Sequence, residues 1–338
     1  MGKIDKLIAD PGAFVRDSKL FRRYFGEPEP VAPAKEPRKG PAAQAGPVAA
    51  APREKSHPLP TLNLAEEVRL SDAEIARQEA EREFLRFRAA PSVGDRVVER
   101  LAGRVRGTFA DIDLPDREVV GDIRDFFRCY VENPAAGAAR TTAKGSLLWL
   151  FVLARALSPK VVVESGVYKG ASLYGFRRAL PSATVHGYDI DLSNLAFADP
   201  SIQLHQGDWS QSPPRPEGPD DLCYFDDHIN NCLRVRQAYD AGFRHLVFDD
   251  SPDIGQLHKW RYPGVPTIQM VVNRTLEEGE WVEWVWKKQK LRYVHREGDT
   301  HGARDLVERM LELPSLLPLT GRATGVQTYV RLKRREDR

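Results

Sequence analysis

The sequence predicts an α/β protein. It has a doubly wound, mostly parallel sheet, preceded by a helical extension and a disordered Pro/Ala-rich linker. Three observations carry this. Short β-branched or aromatic runs alternate with amphipathic segments between Lys160 and Phe248, the pattern of parallel strands covered by helices. Apolar residues recur at helical spacing between 64 and 131. Proline and alanine crowd residues 26–62, where fixed φ and missing backbone donors prevent a packed core.

Whole-chain properties narrow the class. The 338 residues, 41% of them hydrophobic, suffice for one large domain with extensions. A net charge of +2 gives no global field for nucleic acid, so no nucleic-acid partner is expected. The longest apolar run, Leu147 to Ala154, falls far short of the roughly 20 residues that span a bilayer. No apolar signal region opens the chain. Cys129, Cys223 and Cys232 form no CxxC pair and read as reduced thiols of a cytoplasmic protein.

In chain order, residues 1–25 form a basic amphipathic segment. Ile4, Leu7 and Ile8 share a face, Pro11-Gly12 interrupts, and Leu20, Phe21, Tyr24 and Phe25 follow beside Lys19, Arg22 and Arg23. Such a segment either lies on an anionic membrane, giving peripheral contact at the inner face, or docks on protein. The linker spans 26–62, and the helical extension 63–140. A capping box at Ser71-Asp72-Ala73-Glu74 opens the extension. Two stripes follow, Val93, Val97, Val98, Leu101, Val105 and then Val119, Val120, Ile123, Phe126, Phe127, Tyr130.

The main domain is 141–338. A buried helix near Ser146–Leu157 ends at Ser158-Pro159. Strands are expected at Val161–Val163, Thr184–Tyr188, Ile202–Leu204, Leu222–Phe225 and His245–Phe248, with helices at Ala171–Leu180 and Ile229–Ala241. Gln327–Leu332 alternates, as a final antiparallel strand would.

Ligands of such sheets bind beyond the carboxyl ends of the strands. The first strand runs into Glu164-Ser165-Gly166-Val167-Tyr168-Lys169-Gly170, whose glycines permit a tight turn. Asp189, in Gly187-Tyr188-Asp189-Ile190-Asp191, lies where a carboxylate can accept both ribose hydroxyls. Asp208 follows the third strand, placed to reach an adenine amino group, and Trp209 beside it is placed to stack on the ring. The turn lacks G-x-G-x-x-G, and Glu164 suits an α-amino group better than a pyrophosphate.

This constellation resembles the class I S-adenosylmethionine-dependent methyltransferases over roughly residues 140–250. The resemblance implies a Rossmann-like sheet, S-adenosylmethionine as cofactor, and a cofactor site of Glu164, Ser165, Gly166, Tyr168, Gly170, Asp189, Asp191, Asp208 and Trp209. Two more acidic turns follow, Asp226-Asp227-His228 and Asp249-Asp250-Ser251. Converging carboxylates repel unless a cation joins them, and oxygen donors suit Mg2+. They resemble the metal-dependent sugar O-methyltransferases and their cephalosporin hydroxylase-type relatives. That likeness implies that Asp226 or Asp227, with Asp249 and Asp250, hold the metal. His228, beside Asp227, is the candidate general base, although in those families Gly-Ser often separates the acids from the histidine. As plain structure, Asp227 would cap the following helix and Asp249-Asp250-Ser251-Pro252 would form a turn.

Residues 6–17, Lys6-Leu7-Ile8 through Phe14-Val15-Arg16-Asp17, resemble leader segments of bacterial capsule and surface-polysaccharide enzymes, which favours a saccharide or glycan acceptor. His258-Lys259-Trp260-Arg261-Tyr262-Pro263 suits a sugar face with an anionic substituent. Trp281, Trp284 and Trp286 with Lys287 and Lys288 read as a lid or a packed helix, and Arg331–Arg338 as a solvated tail. Two other classes stay open. A non-catalytic scaffold of a glycan assembly complex would bind the cofactor without methyl transfer. A hydroxylase would need a 2-His-1-carboxylate spacing that the sequence lacks. A homo-oligomer also stays open.

Overall fold

The structure, a computed structural model, describes residues 91–338 except 116, 137–141, 261–262, 287–288, 318–324 and 335–338. Of residues 91–93 it describes the backbone alone. The chain divides into two units, Met1–Glu66 and Glu67–Arg338. The basic N-terminal segment, the linker and the capping box all lie outside the described residues.

Three helices precede the sheet: α1 (Pro91–Asp111), α2 (Val120–Glu132) and α3 (Lys144–Leu157). Over the described side chains, the expected stripes of α1 and α2 turn towards the core. Leu101, Ala102, Val105 and Phe109 of α1 meet Ile123 and Phe126 of α2 in the larger core cluster. α3 is apolar on every side and buried over nearly its whole length, as a helix without a polar face must be. It stops at Ser158, which takes the left-handed conformation (φ 49°) before Pro159.

The sheet follows as expected. Its strands are β1 (Val161–Ser165), β2 (Thr184–Asp189), β3 (Ile202–Gln206), β4 (Leu222–Phe225), β5 (His245–Phe248), and later β8 (Val307–Glu312) and β9 (Thr328–Leu332). Among the described residues these form one seven-stranded sheet in the order β3-β2-β1-β4-β5-β9-β8. The pairs among β1 to β5 are parallel, and β9 runs antiparallel to β5 and β8. This is a Rossmann-like doubly wound sheet. β1, β4 and β5 are buried at every position, because helices cover both faces. Helices α4 (Ala171–Ala179) and α5 (Asn231–Ala241) connect β1 to β2 and β4 to β5. The strand order reverses beside β1, so the carboxyl ends of β1, β2 and β4 splay around one crevice.

Two short helices, α6 (Ile268–Val272) and α7 (Ala303–Leu306), flank a separate two-stranded ribbon, β6 (Trp281–Trp286) and β7 (Gln289–Val294). The ribbon corrects the packed-helix reading of the tryptophans. Val282, Trp284 and Trp286 alternate with Trp281, Glu283 and Val285, so period two outweighs the helical reading. Trp284 is buried against Leu257 and Met270 and donates its indole N–H to the Trp260 carbonyl at 2.9 Å. Trp281 stays 53% exposed under the Arg292 guanidinium.

Candidate active site

A cleft of about 560 Å³ opens at the carboxyl ends of β1, β2, β4 and β5, a size usual for small-molecule sites. Three turns build its floor. Gly166 has φ 95°, and a Cβ there would collide with the Asp226 backbone carbonyl. The glycine thus lets the turn after β1 lie directly on the turn after β4. Gly170, at φ 80°, starts α4.

Asp189 joins the turns after β1 and β2. Its carboxylate accepts from the Tyr168 N–H at 2.7 Å and the Asp191 N–H at 2.9 Å, and it borders the cleft. Ile190, 62% exposed, lines the cleft beside it. Ser165, Gly166 and Tyr168 also line the cleft, whereas Gly170 does not. Asp191 turns away and caps a short 3-10 turn by accepting from the Ser193 N–H. Trp209 corrects the stacking expectation: its ring is fully buried between Phe225 and Phe243 in the second core cluster.

Glu164 lies under the floor rather than on it. The side chain is fully buried, Oε1 accepts from the Ser172 hydroxyl at 2.5 Å, and Oε2 has no partner. Burial pushes its pKa up to about 8 against the pull of the Ser172 hydroxyl, with the charges of Asp189 and Asp249 adding to the rise. An orphaned buried carboxylate oxygen beside a cleft is what a cationic ligand group would satisfy.

Asp208 lines the cleft, but its oxygens are engaged. They accept from Ser210 and, bidentately, from Arg234 at 3.0 and 2.8 Å. Burial alone would raise this carboxyl, yet the guanidinium outweighs it and holds the pKa at about 2. Asp227 is engaged too. It accepts from the Ser165 hydroxyl at 2.7 Å, Arg234 Nε at 2.9 Å and the Ile229 N–H at 3.1 Å. Arg234 escapes sequence reading because charged residues on a helix are normally solvated. The available signal is its position three and four residues from Asn231 and Ala238, on the face of α5 that is buried.

The acidic turns bring two of the expected donors, Asp226 and Asp250, together with His228. Asp226, His228 and Asp250 each offer a ligand atom, and these atoms lie within 4.8 Å of one another. Asp227 is tied to Arg234. Asp249 is tied to the Tyr224 hydroxyl at 2.8 Å and the Asp250 N–H at 3.0 Å, although it still borders the cleft. Asp227 and Asp249, expected as metal ligands, lie outside this group of three, and hydrogen bonds hold both carboxylates. His228, expected as a base, offers a ligand atom to the same cluster. Tyr168, His228 and Asp250 all hold left-handed backbone, at φ 47°, 56° and 47°. Conformations of that kind persist where the surroundings over-determine them. Burial raises the Asp226 carboxyl well above the carboxylate range, and repulsion from Asp249, Asp250 and Glu164 adds to it. Burial and Asp250 raise Asp249 as well. A hard cation would relieve this repulsion, so the residues fit one.

The far wall comes from distant sequence. Thr142 and Ala143, ahead of α3, and Gly325, ahead of β9, line the cleft, with Gly325 packed beside Asp249. The Gly325 N–H donates to the Ser146 hydroxyl at 3.0 Å, fixing this wall to α3. Among the described residues, no helix is long and apolar enough to cross a membrane.

No family model and no curated protein matches the sequence. Solved structures are similar in fold. One described as "cmcI-N160 SAH" is 26% identical over 31% of this chain and 59% of its own, at TM-score 0.28. A putative O-methyltransferase from Klebsiella pneumoniae is 17% identical, covering 68% of this chain and 96% of its own, at TM-score 0.37. The MycE methyltransferase, in complex with Mg, SAH and mycinamycin VI, is 17% identical over 63% of this chain and 55% of its own, at TM-score 0.35. None of these three descriptions mentions a capsule enzyme or a cephalosporin hydroxylase.

Proposed function

We propose that the chain is an S-adenosylmethionine-dependent O-methyltransferase that uses a divalent cation, held by two carboxylates and an imidazole, and methylates a saccharide hydroxyl. One observation carries this reading. A single cleft joins the Asp189 carboxylate, with the orphaned Glu164 oxygen beneath it, to the Asp226–His228–Asp250 cluster.

S-adenosylmethionine, when bound, supplies a methyl group on a positively charged sulfur, and a divalent cation makes an acceptor hydroxyl more acidic. The protein does the rest. Asp189, oriented by two backbone N–H groups, keeps lone pairs for the ribose hydroxyls. Ile190 offers apolar surface to a flat adenine. Six carboxylates line the cleft, Asp189, Asp208, Asp226, Asp227, Asp249 and Asp250, against one buried guanidinium. That excess of acidic groups over basic ones favours a sulfonium over a pyrophosphate. Asp226, His228 and Asp250 would hold the cation and leave coordination positions for neighbouring acceptor oxygens, the arrangement that sugars present. With His228 among the ligands, Asp249 is the carboxylate left at the cleft to take the hydroxyl proton.

Calorimetry with S-adenosylhomocysteine and NAD, each with and without Mg2+, tests the reading. Binding of the nucleoside thioether but not NAD is expected, together with a separate heat for Mg2+. His228→Ala should abolish the Mg2+ heat and spare nucleoside binding. NAD binding alone would overturn the cofactor assignment.

A further inference from the structure

Arg234 lies midway along α5, only 1% exposed, with its guanidinium against the Phe225 ring. Burying a guanidinium is costly unless every donor is satisfied, and here each has an acceptor. Nε donates to Asp227 at 2.9 Å. One terminal nitrogen donates to Asp208 at 3.0 Å and Gln237 at 2.8 Å. The other reaches Asp208 and Asp227, both at 2.8 Å. Asp208 belongs to the turn after β3, and Asp227 to the turn after β4. The Ser165 hydroxyl, at the end of β1, donates to the same Asp227 oxygen. One planar cation therefore fixes three turns: two bear the nucleoside residues, and the third bears Asp226 and His228.

We propose that Arg234 is a positioning residue that couples cofactor binding to cation binding, through Asp208 on one side and Asp227 on the other. This rests on the methyltransferase reading of the cleft. Asp227 is flanked in sequence by Asp226 and His228. A shift of its carboxylate therefore carries both cation donors with it. A nucleoside seated against Asp208 holds the guanidinium, and the guanidinium holds Asp227. The coupling is reciprocal, because a binding linkage acts equally in both directions. Lysine cannot replace it. An ammonium has three donors, no plane and no bidentate fit to Asp208.

The test is Mn2+ affinity, read by electron paramagnetic resonance, with and without S-adenosylhomocysteine. The proteins are the full-length chain and its Arg234→Lys, Asp208→Asn and Asp189→Asn variants. In the unsubstituted protein, the thioether should tighten Mn2+ by at least about fivefold. Arg234→Lys keeps the net charge, yet it should weaken Mn2+ about tenfold and erase the enhancement. Asp208→Asn should do the same although Asp208 is no ligand, which keeps the idea testable if the lysine variant fails to fold. Asp189→Asn removes an equal charge without touching Arg234, and should weaken Mn2+ less than Asp208→Asn does. Unchanged Mn2+ binding in Arg234→Lys, or equal losses in Asp208→Asn and Asp189→Asn, overturns the coupling. An unsubstituted protein that binds the thioether but never Mn2+ overturns the cation reading itself, and the coupling with it.

Discussion

Replacing Glu164 by Gln separates what this residue does for stability from what it does for binding. The carboxyl is fully buried with one oxygen unpartnered, and its pKa stands at about 8 against an ordinary 4.5. The unfolded chain loses this proton near pH 4.5 and the folded chain only near pH 8, so stability falls as pH rises between the two. Linkage over these two values gives a cost of ~2 kcal/mol at pH 6 and ~4 kcal/mol at pH 8. Gln keeps the shape and never ionises. Urea unfolding of the ligand-free protein should therefore show Glu164→Gln gaining ~2 kcal/mol on the parent between pH 6 and pH 8, and nothing near pH 4. The same variant should bind S-adenosylhomocysteine more weakly, because an ammonium can draw the proton off Glu164 and pair with the carboxylate, which Gln cannot provide. Parallel stability curves for parent and variant from pH 6 to pH 8 would refute the buried-charge reasoning. A more stable variant with unchanged affinity would remove Glu164 from the cofactor site.

Other outcomes follow from the same geometry. Gly166→Ala combines a left-handed backbone with a collision at the Asp226 carbonyl, and should cost ~2–4 kcal/mol in thermal unfolding and impair both nucleoside and cation binding. His245 is buried, its Nδ1 meets the Tyr329 hydroxyl at 2.7 Å, and burial depresses its pKa from 6.5 to about 4. Its stability contribution is present above pH 6.5 and lost on acidification towards pH 4. The parent should lose ~2 kcal/mol more than His245→Phe between pH 7 and pH 5 in denaturant titrations. Trp284→Ala, in the packed face of the ribbon, should cost ~3–5 kcal/mol, whereas exposed Trp281→Ala should change the thermal midpoint little.

The sheet was legible because its strands are buried on both faces and read as unbroken apolar runs. Val161-Val162-Val163, Leu222–Phe225 and His245–Phe248 each emerge within a residue or two of their observed ends. The ribbon was misread because tryptophans at 281 and 284 also fit helical spacing, and only the cross-strand partners in β7 settle the period. In the site, a carboxylate after a strand announces a position and not an allegiance. Asp226 and Asp227 are equivalent in sequence, yet Arg234, seven residues on, claims one and leaves the other for the cluster. Trp209 shows the same limit. Its neighbour Asp208 faces the cleft while the indole, at the start of a 3-10 turn, is fully buried.

The antiparallel strand wedged beside β5 has a consequence for biogenesis. β9 pairs Arg331 with His245 and Thr328 with Phe248, and Gly325 just ahead of it lines the cleft. During synthesis β5 leaves the ribosome long before its neighbour does. Until β9 arrives, one edge of a five-stranded sheet stays open to stray partners. Gly325's share of the cleft wall, beside Asp249, is missing for the same interval, so the nascent chain completes its binding site only when its late-made residues dock.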